Sequence, residues 1–444
     1  MRISNKLGLS LVAATLVTFY GCGQEAPKKA AEAPTTTAPT APPVEAATVV
    51  RIGHAGPLTG GIAHLGKDNE NGARLAVDEA NKKNIKIGGR AIKFELMAED
   101  DQADAKLGPT IAQKFADAKV AGVVGHLNSG VTIPASSVYN QAGIPMISGS
   151  ATNPKLTEQG FKVVFRVVAR DDQQGPAVAQ YLNDGKIKKV AIADDATAYG
   201  EGLANEVEKT LKAAGVQVVA HEKTNDKATD FKAILTKIKA RNPDAVFYGG
   251  MDATGGLMLK QARELGIKAV FSFGDGACTD KMKELAGEMS ENLICSQAGL
   301  PASAASKSFL DAYKTAFKQD PIIYGPFTYD AANLLIAAMQ KADSTDPAKY
   351  LPELQKINYK GATGPIQFDE KGDRRNAEIT IFSMKGGKLE PSAVVQAGKS
   401  MKFDEFMKAS TTMAAGGAPA PASAAAPAPA SPATPAAPAP APKK

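Results

Sequence analysis

The chain of 444 residues has few of the groups from which catalytic and metal sites are built. It contains 3 cysteines, 4 histidines and no tryptophan. The histidines show no metal-ligand spacing, and no Cys-x-x-Cys, phosphate-binding loop or Gly-x-Ser-x-Gly turn occurs. These absences weigh against metal-dependent, nucleotide-dependent and nucleophilic catalysis. We therefore expect neither an enzyme nor a bound metal or cofactor.

The charge pattern also lacks the features of a nucleic-acid-binding protein. The formal net charge is only +6, and no long run of lysine and arginine and no basic stripe with interleaved aromatic residues is present. With 44% hydrophobic and 22% charged residues, the composition is that of a globular protein with material for two or three domains. Nucleic acid is therefore not an expected partner.

The one long apolar run, Leu7–Tyr20, is shorter than the roughly 20 residues that span a bilayer. It follows Arg2 and Lys6 and ends just before Cys22, a pattern typical of an export signal. A small residue followed by cysteine resembles the site at which bacterial lipoproteins are cleaved and lipidated. We therefore expect residues 1–22 to be a lipoprotein-type signal peptide with Cys22 as the lipidation site; a plain secretory signal cut nearby is the alternative.

Export also bears on the two remaining cysteines, Cys278 and Cys295. Disulfides persist in oxidising compartments, so this pair is a disulfide candidate, whereas two buried thiols are the alternative. Two flanking segments lack the residues to build a core. Residues 23–48 are rich in Ala, Pro and Thr and are expected to form a tether, and residues 409–444, rich in Ala, Pro and Ser, a disordered tail.

Between these segments, short apolar runs alternate with amphipathic stretches, as in βαβ units. Continuous apolar runs suit the strands of a parallel sheet that is covered on both faces. The pattern predicts an α/β protein with two open, doubly wound domains, whose ligands bind at the carboxyl ends of the strands. The predicted strands are Val49–Ile52, Ile92–Met97, Val120–Val124, Ile144–Ile147, Val190–Ala193, Val216–Val219, Ala245–Tyr248 and Val270–Phe273.

Two loops that follow predicted strands carry hydroxyl groups and free backbone N–H groups. One contains Ser129, and the next contains Ser150 and Thr152. Hydroxyls and amides beside helix N-termini can hold a small anion such as a carboxylate without a basic residue. Ordinary helix capping by Ser and Thr is the alternative interpretation.

Two residues of the second half have the chemistry to complete a ligand site. Asp275 follows the predicted strand Val270–Phe273 and offers a carboxylate for a ligand ammonium group. Tyr199 lies beyond another strand end and can close over a ligand. The alternatives are an Asp-Gly turn at Asp275 and a surface turn at Tyr199.

Several segments, taken in order, resemble the leucine/isoleucine/valine-binding proteins of bacterial branched-chain amino-acid ABC transporters. The resemblance covers about residues 49–390, and it rests on the number, order and spacing of the segments. They are Gly125-His126-Leu127, Pro134-Ala135-Ser136, Asp172-Gln173-Gln174-Gly175-Pro176, Tyr199-Gly200-Glu201-Gly202-Leu203-Ala204, Tyr248-Gly249-Gly250, Gln261-Ala262-Arg263, Gly364-Pro365 and Phe368-Asp369-Glu370-Lys371-Gly372-Asp373.

The resemblance implies a type I periplasmic-binding-protein fold, with two Rossmann-like lobes joined by a three-strand hinge and a ligand cleft between them. The implied boundaries are 49–170 with 299–378 for lobe 1 and 171–298 with 379–408 for lobe 2. By alignment, Ser129, Ser150 and Thr152 bind the ligand carboxylate, Tyr199 reaches across from lobe 2, and Asp275 takes the ammonium.

The sequence departs from the family at the pocket. The family's ammonium acid is normally glutamate, so Asp275 is one methylene shorter. Two aromatic wall positions align with Leu65 and Met251, which makes those walls aliphatic and pliable. Tyr324 or Phe327 is expected to supply the remaining aromatic wall.

The resemblance therefore implies a monomeric receptor in the periplasm or cell envelope, anchored through Cys22 if it is lipidated. It would capture an amino acid, branched-chain or related, by hinge closure and deliver it to an ABC permease in the inner membrane. The alternatives are the same fold with another small solute, such as an amide, urea or a carboxylate, and a lipoprotein that regulates a cell-wall enzyme.

Overall fold

The computed structural model of the protein describes residues 46–415. The predicted signal peptide with Cys22, most of the predicted tether and residues 416–444 lie outside the described part of the chain. The strands are β1 (Thr48–Gly56), β2 (Lys86–Ile87), β3 (Arg90–Asp100), β4 (Gly122–Gly125), β5 (Met146–Ser148), β6 (Val164–Arg166), β7 (Lys189–Asp194), β8 (Gln217–Lys223), β9 (Ala245–Gly249), β10 (Val270–Phe273), β11 (Ile294–Gln297), β12 (Tyr359–Gly361), β13 (Gly364–Ile366), β14 (Glu378–Lys385), β15 (Lys388–Gln396) and β16 (Lys399–Lys402).

The helices connect these strands and cover both faces of the sheets. They are α1 (Ala63–Lys82), α2 (Leu107–Asp117), α3 (Ser129–Ala142), α4 (Lys155–Glu158), α5 (Asp171–Asp184), α6 (Ala198–Ala213), α7 (Lys232–Ala240), α8 (Asp252–Glu264), α9 (Lys281–Ala286), α10 (Lys307–Phe317), α11 (Gly325–Lys341), α12 (Pro347–Gln355) and α13 (Phe403–Ala415). Among the described residues, no helix combines the length and the apolar character that crossing a bilayer requires.

The first sheet has the strand order β2-β3-β1-β4-β5-β6 and is parallel apart from β2. Successive side chains of its strands enter different cores. Val124 belongs to the cluster that α1 and α11 complete, and Val123 to the cluster formed with α2 and α3. Apolar residues at consecutive positions are therefore buried on opposite faces, which is why these strands are continuous apolar runs rather than alternating ones. This sheet with α1–α4 and α10–α12 is the first lobe.

The second sheet has the order β16-β15-β14-β11-β10-β9-β7-β8. Its strands β7–β11 are parallel, whereas β14, β15 and β16 form an antiparallel extension. The predicted strands overlap β1, β3–β5 and β7–β10, but the antiparallel extension and the short strands β6 and β11 were not predicted. This sheet with α5–α9 and α13 is the second lobe.

The chain passes between the two sheets three times, after β6, after β11 and before β14. This is the topology that a type I periplasmic-binding-protein fold requires. The exact lobe boundaries stay a prediction. The last helix, α13, continues to Ala415, so the first residues of the segment predicted as a disordered tail from residue 409 are helical here.

The first and third crossings are joined by a buried ion pair. The guanidinium of Arg166 donates from Nε to Oδ1 of Asp373 over 2.5 Å, and Arg170 donates from Nη1 to Oδ2 of the same carboxylate over 2.8 Å. Burial raises the pKa of Asp373, but Arg166 and Arg170 lower it more, and the net result is a pKa below the ordinary value. The carboxylate therefore stays charged at the hinge.

A disulfide joins the two predicted cysteine partners in the second lobe. Cys278 follows β10 and Cys295 lies in β11, and both side chains are buried. The bond ties the loop that begins with Asp275 to the neighbouring strand. The disulfide therefore restrains the loop that carries Asp275, a predicted ligand contact.

One buried carboxylate holds the segment that leads into α11. Asp68 on α1 accepts hydrogen bonds from the backbone N–H groups of Ile322, Ile323, Tyr324 and Gly325 and from the hydroxyl of Tyr313, at 2.8–3.1 Å. The first N–H groups of a helix have no partner within the helix. Asp68 supplies that partner from another helix and so sets the position of Tyr324.

We expect Asp68→Asn to lower the free energy of unfolding by about 2–4 kcal/mol, because one acceptor oxygen is lost while buried N–H groups remain. Urea denaturation followed by circular dichroism measures the change. Asp78→Asn, on an exposed face of the same helix, is the control and should change stability by less than about 0.5 kcal/mol. Equal effects of the two substitutions would contradict this role of Asp68.

Candidate functional site

The candidate site lies at the carboxyl ends of strands from both sheets, in the loops after β4, β5, β7 and β10. Loops of the first lobe supply hydroxyl and amide groups, and loops of the second lobe supply carboxylate, amide and phenol groups. In open α/β sheets this edge is where ligands bind.

The loop after β5 is held in a fixed shape by Ser148. Its hydroxyl donates to the carbonyl of His126 over 3.0 Å and accepts from the backbone N–H groups of Ser150 and Ala151 at 3.3 and 2.9 Å. The hydroxyl of Ser150 donates to Leu127 O and accepts from the side chain of Asn69. The loops after β4 and β5 are therefore connected to each other before any ligand arrives.

The three residues predicted to hold an anion come together on these two loops. The hydroxyl of Ser129 accepts from the backbone N–H of Asn153 over 3.2 Å. Ser129, Ser150 and Thr152 are buried, and Oγ1 of Thr152 has no hydrogen-bond partner among the described residues. A buried hydroxyl without a partner is costly, so Thr152 is a polar group available to a ligand.

Arg166 fixes the backbone direction of the same loop. Its Nη1 donates to the carbonyls of Ala151 and Asn153 at 3.1 and 2.9 Å, and its Nη2 donates to Oγ1 of Thr157 over 2.6 Å. Because the carbonyls on either side of Thr152 are drawn toward the guanidinium, the hinge ion pair and the anion-binding loop form one connected structure.

Across from this loop, the carboxylate of Asp275 is held by three donors. Oδ1 accepts from the hydroxyl of Tyr199 at 2.8 Å and from Nε2 of Gln174 at 2.9 Å, and Oδ2 accepts from the hydroxyl of Tyr324 at 2.7 Å. Tyr324 belongs to the first lobe, whereas the other three residues belong to the second. The Tyr324 hydrogen bond therefore crosses the cleft.

A second acid, Asp171, lies at the start of α5 and is also fully buried. Its backbone N–H donates to the carbonyl of Thr152 over 2.9 Å, so the acid adjoins the anion-binding loop. Oδ2 of Asp171 and Oε1 of Gln174 have no hydrogen-bond partner among the described residues. These are buried acceptors without donors, an arrangement that suits a ligand bringing N–H groups.

Burial changes the titration of both acids. It raises the pKa of Asp275, although the hydrogen bonds from Gln174, Tyr324 and Tyr199 lower it in part. Burial also raises the pKa of Asp171 well above its ordinary value and the nearby charge of Asp275 raises it further, whereas the adjacent Thr152 hydroxyl lowers it in part. Two carboxylates that share a site disfavour each other's ionisation, and a cation between them would relieve this.

The apolar wall residues lie around the acid. A Cβ atom on Gly276 would come within 2.6 Å of Sδ of Met251, which places Met251 beside the Asp275 loop. Leu65 and Tyr324 are buried in the cluster against which Met251 packs. Phe327 packs against Gly299, and it is Tyr324 rather than Phe327 that hydrogen-bonds Asp275.

Sequence reasoning assigned no role to Asp171 and Gln174, although the segment Asp172–Pro176 supports the family resemblance. Acidic and amide residues in the first turn of a helix are common as capping residues, so their type and position carry no separate signal of ligand binding. Only their burial and their unpartnered atoms distinguish them.

The site thus has one end rich in hydroxyl and amide groups and another end with two acids. The backbone hydrogen bond from Asp171 to Thr152 connects the two ends. This arrangement suits a small molecule with one anionic and one cationic group. Within residues 46–415 no group of three or more His, Cys, Asp or Glu side chains is arranged to hold a metal ion.

Comparisons with known proteins show the family to which the chain belongs. The family model for periplasmic binding proteins matches residues 49–388. A leucine-, isoleucine-, valine-, threonine- and alanine-binding protein of Pseudomonas aeruginosa is 34% identical over 343 residues, which cover 76% of this chain and 90% of the relative.

Solved structures are similar as well. A leucine-binding protein of Thermotoga maritima has a TM-score of 0.73 and 29% identity, covering 78% of this chain and 99% of that one. A branched-chain amino acid transporter substrate-binding protein of Streptococcus pneumoniae, in complex with isoleucine, has a TM-score of 0.70 and 28% identity, covering 79% and 100%. The chain therefore belongs to the periplasmic binding protein family that includes the leucine/isoleucine/valine-binding proteins.

Proposed function

We propose that the protein is an extracytoplasmic receptor that captures a free amino acid by hinge closure and delivers it to an ABC importer. The observation that carries this proposal is a buried group of polar atoms that lack a hydrogen bond of regular geometry: Oδ2 of Asp171, Oε1 of Gln174 and Oγ1 of Thr152. An α-amino acid supplies an ammonium group for the first two and a carboxylate for the third. The site therefore matches a zwitterion without any basic side chain touching the ligand.

In this proposal the ligand carboxylate docks on the first lobe. Ser129 and Thr152 offer hydroxyls on loops whose shape Ser148 and Arg166 maintain. Hydrogen bonds from neutral donors to an anion are stronger than those between neutral groups. The loop can therefore bind a carboxylate by oriented dipoles alone.

The ammonium group docks between the two acids. Asp171 offers a free oxygen, and Asp275 has remaining lone-pair capacity beside its three donors. The cation would balance part of the negative charge that the buried pair carries. Asp171 is the direct partner in this arrangement, and Tyr199 and Tyr324 orient Asp275.

Closure would bring the two lobes together around the ligand. We take lobe 1 as residues 49–170 with 299–378 and lobe 2 as 171–298 with 379–408. Two hydrogen bonds between the lobes support a closed arrangement: the one from Tyr324 to Asp275, and the one from Nδ2 of Asn153 to the carbonyl of Ala198 at 2.6 Å. A ligand favours closure to the extent that it binds the closed form more tightly than the open one.

The walls of the pocket bear on which amino acid is preferred. Leu65 and Met251 are aliphatic, and the hydroxyl of Tyr324 brings a polar group to the side of Asp275. The name of the Pseudomonas aeruginosa relative includes threonine and alanine besides the branched-chain amino acids. We therefore propose a branched-chain or smaller aliphatic amino acid as the ligand.

The remaining parts of the proposal concern location and partners. The periplasmic binding protein family and the export signal predicted at residues 1–22 support an extracytoplasmic location. We propose that Cys22 is lipidated and anchors a monomeric receptor to a membrane of the cell envelope. The partner is then the permease of an ABC importer in the inner membrane.

Isothermal titration calorimetry tests amino-acid capture directly. The protein from residue 23 onward, unfolded and refolded to remove carried-over ligand, is titrated with Leu, Ile, Val, Phe, Ala, Ser, Thr and Glu. We expect micromolar or tighter binding of at least one aliphatic amino acid. Leucine amide and isocaproate, which lack the carboxylate and the ammonium respectively, should not bind measurably. An absence of heat with all of the amino acids would contradict the proposal.

The two acids can be tested one at a time. Asp171→Asn and Asp275→Asn should each weaken amino-acid binding by about 2–5 kcal/mol, because a buried ammonium loses an ionised partner. Asp172→Asn is the matched control: the residue is adjacent in sequence, half-buried and paired with Arg170 instead. The site assignment is wrong if either pocket variant binds as tightly as the wild type.

Ligand affinity should depend on pH through these acids. Their pKa values in the free protein are raised by burial, and the ammonium requires the ionised form, so binding displaces protons. Affinity should therefore fall as the pH is lowered toward and through the raised pKa values, beginning above the ordinary Asp value of about 4. Calorimetry from pH 8 to pH 5, in buffers of different ionisation enthalpy, measures the effect and the released protons. Identical affinity and no proton release across this range would argue against it.

A further inference from the structure

A hydrogen bond between a histidine and an aspartate joins the two lobes next to the proposed pocket. His64 lies on α1 of the first lobe and Asp252 is the first residue of α8 in the second. Nε2 of His64 donates to Oδ2 of Asp252 over 2.7 Å. The contact exists only while the lobes face each other as they do here.

Without His64, the carboxylate of Asp252 would keep few hydrogen bonds. It is fully buried, its Oδ2 also accepts from the hydroxyl of Thr279 at 2.6 Å, and its Oδ1 has no hydrogen-bond partner among the described residues. The side chain of His64 is 28% exposed. A buried carboxylate that loses its one contact with an imidazole remains with a single hydroxyl, which is unfavourable unless water enters.

In the part of the chain that the structure describes, no charged group on this side of the cleft takes the place of His64 as the hydrogen-bond partner of Asp252 from the first lobe. Lys281 on α9 donates to Glu284 over 2.6 Å, and its pKa is raised mainly by that hydrogen bond, with a smaller contribution from the charge of Asp252. Asp280 and Glu284 line the groove that also contains His64 and Lys281, and both carry negative charge. His64 is thus the group that approaches the Asp252 carboxylate from the first lobe.

We propose that His64 and Asp252 form a closure latch, a pair that sets ligand affinity without touching the ligand. The inference rests on the proposed capture of a solute by hinge closure. Because the pair forms in the closed state and breaks in the open one, it shifts the equilibrium between the two states. A shift of that kind multiplies the affinity for every ligand of the site by the same factor.

This property separates a latch from a pocket residue. A residue that contacts the ligand changes the relative affinities of different ligands, whereas the latch leaves their ratio unchanged. The latch also acts after docking on the first lobe, so its loss accelerates dissociation and leaves association nearly the same. The two signatures are independent of each other.

The test uses His64→Ala, Asp252→Asn and the double variant, with calorimetry and stopped-flow kinetics for two bound amino acids. His221→Ala is the matched control, because His221 is a half-buried histidine that pairs with Asp194 and Glu208 inside the second lobe. We expect His64→Ala to raise the Kd and the dissociation rate by about 5- to 50-fold for both ligands, and His221→Ala to change neither by more than about 2-fold. His64→Gln, which keeps a donor, should recover part of the loss.

The double variant measures the coupling between the two residues. If they act as one latch, Asp252→Asn adds little to the loss caused by His64→Ala. The latch is overturned if His64→Ala leaves the Kd and the dissociation rate unchanged. It is also overturned if the substitution changes the ratio of the Kd values of the two ligands. Both outcomes are distinct from failure of the proposed function, in which the wild type itself binds no amino acid.

A measurement without ligand tests the latch even if the wild type binds no amino acid. Donor and acceptor dyes on Lys83→Cys and Lys239→Cys, both exposed and on different lobes, report the closed fraction by single-molecule energy transfer in the chain from residue 23. We expect His64→Ala to lower the closed fraction of the ligand-free protein several-fold relative to wild type and His221→Ala. An equal closed fraction in all three proteins overturns the proposal.

Discussion

The structure depends on the buried pair of Arg166 and Asp373. Arg166 is fully buried, and a buried guanidinium is tolerated only when its donors find acceptors. Its acceptors come from two regions that are far apart in sequence: Asp373 at the third crossing, and the loop from Ala151 to Thr157 beside the ligand site. The requirement to satisfy one cation thus joins the hinge to the anion-binding loop. Removing either partner would leave a charge buried and release both regions together.

The candidate site differs from the hinge in its balance of hydrogen-bond donors and acceptors. Around Arg166 the donors and acceptors are balanced, whereas around Asp171 the acceptors are in excess. A protein interior normally satisfies its polar groups, so a local excess of acceptors indicates what is missing. Here the missing partner carries N–H donors and a positive charge, and the adjacent loop provides for the negative charge of the same molecule. The arrangement is therefore complementary to a zwitterion, as proposed above.

Much of the fold could be predicted from the sequence because its strands are buried on both faces. Their apolar runs, such as Val120–Val124, are distinct from the amphipathic pattern of the helices, and the loops after them made Ser129, Thr152 and Asp275 candidates for ligand contacts. The antiparallel strands β14–β16 were not predicted. Polar residues such as Thr380 and Ser383 interrupt the apolar ones in β14, and the outer strands β15 and β16 are of mixed polarity, so none of the three shows a continuous apolar run. The strands β6 and β11 are as short as β4 and β5, but polar residues such as Arg166 and Gln297 end their apolar runs early.

The connections within the site were beyond a reading of the sequence. Arg166 and Asp373 are separated by 207 positions, and nothing local marks them as partners. Asp171 and Gln174 have the composition of an ordinary first helical turn, and the choice between Tyr324 and Phe327 depends on which ring the start of α11 turns toward Asp275. These features result from tertiary packing, in which Asp68 positions α11 and the hinge aligns α5.

The most direct test of the account is a crystal structure of the protein with a bound aliphatic amino acid. The account predicts the ammonium nitrogen within about 2.7–3.2 Å of Oδ2 of Asp171 and near Asp275, with the carboxylate on Ser129, the Ser150 loop and Thr152. The hydrogen bonds of Arg166 to the loop should be retained. A ligand bound in the reverse orientation, or outside the cleft with Asp171 still unpartnered, would contradict it.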